Sequence, residues 1–167
     1  TDDVVKLTTA AVSALTTAQI SSLTTDQIVA LTTTQAALLT ATQVAALTTD
    51  QIVALETRDL LSLSATAVKG LTSDQIVALI TDQVSVLTSK QITALTTSQI
   101  AALETDDLQV LTTAAVSALT AAQMSKLTTD QVVALTTTQA GVLKSTQIAA
   151  LTTSQIAALE TDDLQVL

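Results

Sequence analysis

The chain has 167 residues and a formal net charge of −9, with no Cys, His, Trp, Tyr, Phe or Pro, two Gly and one Met. Missing cysteine rules out disulfides and thiolate chemistry. Missing histidine removes the commonest general base and metal ligand, and without aromatic rings there is no stacking platform for bases or sugars.

The acidic balance repels phosphate backbones, so no nucleic-acid partner is expected. Mean hydropathy is positive, but no uninterrupted apolar run approaches the length of a membrane span, and no membrane insertion is expected. The chain does not open on a basic segment followed by an apolar one, so no signal peptide is expected.

From its first residue the chain is one eight-residue unit, Thr-Thr-x-Gln-Ile-x-Ala-Leu, repeated without insertion or deletion. It enters at position two, giving a seven-residue unit (1–7) and twenty full octads. Position eight is Leu in all 21 units. Position five is always apolar, mostly Ile or Val. Position four is Gln in fourteen units, Asp in four (Asp3, Asp59, Asp107, Asp163) and Ala in three (Ala11, Ala67, Ala115). Position three varies among Asp, Ala, Thr, Ser, Lys and Arg, and is expected to face water.

A fixed short period is the mark of a solenoid or array. A continuous α-helix fits poorly, because eight residues overshoot two turns by about 80° and the apolar stripe would wind around the helix. A β-solenoid fits poorly too, because positions five and eight would point to opposite faces of a strand. An all-α solenoid, a superhelix of very short capped helices with one helix per octad, places positions five and eight on one face.

The caps are written into the unit. Thr at position one and Gln at position four make the T-x-x-Q capping box. Asp at position three, as in Asp26, Asp50, Asp74 and Asp130, suits the positive end of the helix dipole. A new cap every octad predicts helices of about five or six residues, each followed by a bend.

Where position one loses its hydroxyl (Glu56, Ile80, Glu104, Lys144, Glu160), position two keeps one (Thr57, Thr81, Thr105, Ser145, Thr161). That pattern predicts that the bend always needs a side-chain oxygen for exposed amides. Where position five shrinks to Ala36 or Ala140, position seven grows to Leu38 or Val142, which predicts that both positions fill one interior.

The octads group into blocks 8–63, 64–111 and 112–167, with 1–7 resembling the tail of an earlier block. Each block opens on an Ala-Val octad and closes on an acidic one, and the middle block is one octad shorter. The whole is read as a single octapeptide-repeat array whose partners include adjacent repeats of a longer array. A single unit cannot fold alone, because isolated helices this short are unstable in water, so stacked neighbours must supply the rest. Two octads per turn would give a rod roughly 90–105 Å long, and three a shorter, fatter one.

The acidic octads are the nearest thing to a chemical signal. Glu104, Asp106 and Asp107, with Glu160, Asp162 and Asp163, are weak candidates for hard-oxygen Ca²⁺ ligation. They lack the glycine turn and alternate-position ligands of a calcium loop, so a helix-start role at block boundaries is the expected one and no metal or other cofactor is expected. Nearly identical copies without pocket residues also argue against catalysis, so no catalytic or cofactor-binding residue is assigned.

The unit Ala-Leu-Thr-Thr-x-Gln-Ile, as at 30–35 and 94–100, resembles the octapeptide arrays of very large bacterial secreted or surface-associated proteins, loosely described as adhesin-like. The resemblance covers the whole chain. It implies an extracellular or cell-surface location and a repetitive spacer role. The expected function is thus a non-enzymatic structural module, an elongated spacer or display rod. One alternative is a scaffold binding a protein or glycan partner through positions three and six. A remote alternative is a Thr-rich surface that binds ice.

Overall fold

In the computed structural model, the described residues are 4 and 6–167. They form twenty α-helices, from α1 (Thr9–Ala14) to α20 (Thr161–Leu164), with one helix in each full octad and no strand among the described residues. The helices run four to six residues, slightly shorter at the lower end than the capping pattern predicts. None of the described helices is long and apolar enough to cross a membrane.

Each bend is made without glycine conformations. The residues at positions eight and one are extended, as at Leu55 (φ −66°, ψ 122°) and Glu56 (φ −65°, ψ 148°). No described residue has positive φ. Two extended residues suffice to stop one helix and open the next, and any L-residue adopts them. The eight-residue period therefore needs no Gly or Asn.

Each helix packs against the helix three octads further along. α1 packs on α4 (Thr33–Ala36), α4 on α7 (Thr57–Ser62), α7 on α10 (Thr81–Ser85), and α10 on α13 (Thr105–Val110). The same spacing holds along the whole array. The chain therefore returns alongside itself after more than two octads, which excludes the two-octad turn left open by the sequence.

The core is one continuous column of position-five and position-eight side chains, including Ile28, Ile52, Leu55, Ile76, Leu79 and Ile100, all buried. Position three is exposed in every described octad. Position seven lies at the rim. Its alanines, such as Ala54 and Ala78, are half-buried. The expected compensation at Ala36 does not occur: Ala36 is fully buried, while Leu38 stays 42% exposed. At this octad the position-seven side chain sits beside the core and does not replace the volume lost at position five. In the second such octad, with Ala140 fully buried, Val142 is half-buried.

The layers have a direction. Val12, Ile20 and Ile28 are buried although only three units precede Ile28, whereas Ile156 and Leu164 are exposed. Position five is thus covered by octads that follow it, and the last position-five side chains have none of this chain above them. Position four behaves in the opposite sense: Gln19 is exposed and Gln155 buried.

The two glycines play different parts. At Gly70 a Cβ would lie 2.6 Å from Ala41 Cα and clash with that residue's carbonyl, so glycine is required by the close approach of two backbones. At Gly141 the nearest atom, Thr137 O, would be 3.4 Å away. Gly70→Ala should destabilise the array by about 1–3 kcal/mol through forced backbone movement, and Gly141→Ala should be neutral or slightly stabilising. Urea unfolding of both variants checks this; equal effects would contradict it.

Candidate functional site

Among the described residues, the polar side chains that enter the core in a repeated way are those at position four. As the capping box requires, the N-cap hydroxyl accepts from the position-four amide, for example Gln51 N–H to Thr48 Oγ1 at 3.2 Å and Gln91 N–H to Thr88 Oγ1 at 3.3 Å. The Gln Oε1 accepts in return from the N-cap amide, at 2.7 Å from Thr48 N and 2.9 Å from Thr88 N. This anchors the side chain at its own helix start.

That leaves the amide nitrogen free, and it does not face water. In twelve octads the Gln Nε2 donates to backbone carbonyls about four octads earlier. Gln75 donates to Val44 O at 2.9 Å and Leu47 O at 2.6 Å. Gln91 reaches Leu60 O and Leu63 O at 2.9 and 3.0 Å, and Gln123 reaches Ile92 O and Leu95 O, both at 2.8 Å. The acceptors are carbonyls at the C-terminal end of a helix, at positions five and eight, with position six a further acceptor in several octads. For Gln99, Lys69 O takes the place of position five. The position-eight carbonyl lies beyond the helix, while the position-five carbonyl also accepts from the position-eight amide, as Val44 O does from Leu47 N at 3.2 Å. One side chain thus satisfies the start of its own helix and the end of another. All twelve of these glutamines are buried.

This second role went unread in the sequence, although a signal for it exists. Glu serves the capping box as well as Gln, yet position four never carries Glu in 21 units. A preference for the amide over an equally good acceptor marks a needed donor.

The acidic octads depart from this arrangement. Glu56, Glu104 and Glu160 at the N-cap make no side-chain cap bond, and the hydroxyl at position two does not replace it. The expectation that a side-chain oxygen always caps the bend therefore fails in these octads. Ile80 and Lys144 likewise lack a cap bond, although Gln83 and Gln147 still accept from their backbone amides at 3.1 and 2.8 Å.

Of the residues considered for Ca²⁺, Asp107 and Asp163 are buried at position four, while Glu104, Asp106, Glu160 and Asp162 are exposed. Among the described residues no three or more Asp, Glu, His or Cys side chains come together as a metal-holding group.

Asp59 is the extreme case. It is fully buried, and neither carboxyl oxygen has a hydrogen-bond partner. Arg58 Nε stands 3.9 Å from Oδ1, but the guanidinium is engaged with Glu56 at 2.5 Å. Burial pushes the Asp59 carboxyl up to about 6, with Arg58 opposing and Glu56 reinforcing the shift. Asp107 is also raised, first by burial and then by Glu104, while the Thr81 hydroxyl and the Glu104 backbone offset the rise in part.

Gln91→Glu keeps the cap acceptor but turns the bridging donor into a carboxylate facing two carbonyls. It should cost about 2–3 kcal/mol at neutral pH. Gln19→Glu, where the amide bridges no described carbonyl, should stay within about 0.5 kcal/mol of the parent. Chemical denaturation of the pair checks this, and equal losses would refute the bridge as a stabilising contact.

No curated protein and no solved structure matches the chain. The ALTTAQ repeat family matches it three times, over residues 1–33, 52–89 and 100–137, which together make up more than half of its length. With the Ala-Leu-Thr-Thr-x-Gln core of that unit recurring as one capped helix after another, the chain belongs to the ALTTAQ repeat family.

Proposed function

We propose that the chain is a non-enzymatic structural module, a solenoid of capped helices coiling through three to four octads per turn. In this reading it serves as an elongated spacer or display rod within a large bacterial surface or secreted protein. The observation that carries the reading is the uniform spacing of contacts. Helices pack three octads apart and glutamines bridge about four octads back, with the same bonds repeated from Gln35 to Gln155. Such an array is quasi-one-dimensional: each unit depends on near neighbours, and length can grow by whole units without a new core. The resemblance to octapeptide arrays of large bacterial surface proteins supplies the setting.

A second reading, a scaffold for a protein or glycan partner, draws on one feature. Val29, Val53 and Val77, each at position six, are 42%, 46% and 47% exposed on helices that pack in succession (Thr25–Val29, Thr49–Ala54 and Ser73–Ala78). Ile80, 44% exposed, adds to this apolar strip at the expense of a cap bond. The strip is short relative to the array. Position six elsewhere among the described residues is mostly small or polar (Ala, Gly, Ser, Thr, Gln or Lys), with Leu61 and Val133 the further exposed apolar side chains there, so the spacer reading is preferred. An ice-binding surface is the remote alternative. Many position-one hydroxyls are committed to capping, which counts against it, and no thermal hysteresis is expected.

Removing the six octads 64–111 should leave helicity per residue unchanged and shorten the maximum dimension in solution scattering in proportion to the residues lost. Loss of helicity throughout the shortened chain would overturn the modular reading. Saturable, stoichiometric capture of a protein or glycan by the isolated array, abolished by Val53→Ser with Val77→Ser, would favour the scaffold.

A further inference from the structure

Asp59 occupies a place that elsewhere belongs to a bridging amide. Each bridging glutamine donates to a carbonyl 28 residues earlier and most also to one 31 earlier, as Gln91 does to Leu63 and Leu60. For Asp59 that spacing points to Leu31 and Ile28. No side chain among the described residues donates to either carbonyl, and both Asp59 oxygens lack a donor. An ionised carboxyl therefore places acceptor against acceptor in a buried layer, an arrangement with no favourable hydrogen bond. A protonated carboxyl regains one O–H donor, the group that the amide supplies in other octads.

We propose that Asp59 is a proton-operated seam in the array: protonated, its carboxyl donates to a backbone carbonyl of octad 24–31 and ties octad 56–63 to it; ionised, it leaves that tie unmade.

The surrounding charges do not supply a substitute donor. On its own helix, α7, Asp59 has Glu56 and Arg58, and Arg58 is paired outward with Glu56. The packed helix α4 carries no charged residue, and α10 carries Asp82. Octad 24–31 carries Asp26, and the octads before and after carry Asp50 and Lys69, all three exposed. A surface cleft bordered by Glu56, Thr57, Arg58, Ile80 and Asp82 runs beside α7, and Asp59 itself does not line it.

The raised carboxyl fixes the sign of the effect. With a native value near 6 against an ordinary 3.8, the folded chain holds the proton more tightly than the unfolded one. The contribution is fully present below the unfolded value and is lost as pH rises through about 6. The seam should thus tighten in weak acid, opposite to the usual direction for a salt-bridged carboxylate.

The test uses the full chain and its Asp59→Gln variant, which installs the residue normal for this position. Carbon NMR should find the Asp59 carboxyl titrating near pH 6. Between pH 7.5 and pH 5.0 the parent should gain about tenfold more in its folding equilibrium than the variant gains. At pH 7.5 the variant should be the more stable of the two. The difference between the chains cancels the general effect of neutralising exposed acids. An ordinary Asp59 midpoint, or parallel pH profiles for parent and variant, would overturn the proposal.

Discussion

The structure depends on one bond pattern: a glutamine held by its Oε1 at the start of one helix while its Nε2 fills carbonyls at the end of another. Helices of four to six residues leave nearly all of their backbone groups unpaired at one end or the other. Alone they would not form. The glutamine answers both ends at once, and because it is buried, losing it exposes no water to take its place. Hydrophobic burial by Ile and Leu drives the chain together without direction. The bridge supplies the direction, because it links position four to the C-terminal end of an earlier octad, at positions five, six and eight.

That polarity explains which repeats deviate and how. Positions four and five meet across each layer from opposite sides. The first glutamines therefore lie open while the first valine and isoleucines are covered, and the last isoleucines lie open while the last glutamines are covered. Ala67 and Ala115 delete the bridge by removing every polar atom, so the layer loses a bond but gains no conflict. Gly70, three residues after Ala67, lets the backbone close against Ala41. The acidic octads retain polar atoms but reverse their sense, which is the costlier choice in a buried layer at neutral pH.

Much of this was legible from residue periodicity. The all-helical fold, one helix per octad, the Thr-Gln boxes and the Ile/Leu core followed from capping chemistry and from i, i+3 neighbours. The return distance of the chain did not, because the octad constrains each bend locally while the coil depends on the accumulated angle of many bends. The burial of Asp59, Asp107 and Asp163 was also missed. Read within one helix, an acid in the first turn belongs at the dipole and in water; only the layer four octads away makes it an interior residue. Leu38 illustrates the same limit, since its side of the helix was set by packing that sequence volumes alone do not describe.

The most direct test of the account is a distance measurement with paired spin labels at exposed position-six sites. Val53 and Val77 are 24 residues apart on helices that pack together, whereas Val53 and Ala37 are only 16 apart in sequence. The bridged array predicts a shorter distance for the 24-residue pair than for the 16-residue pair. A distance that grows steadily with sequence separation, or a shorter one at 16 residues, would contradict it.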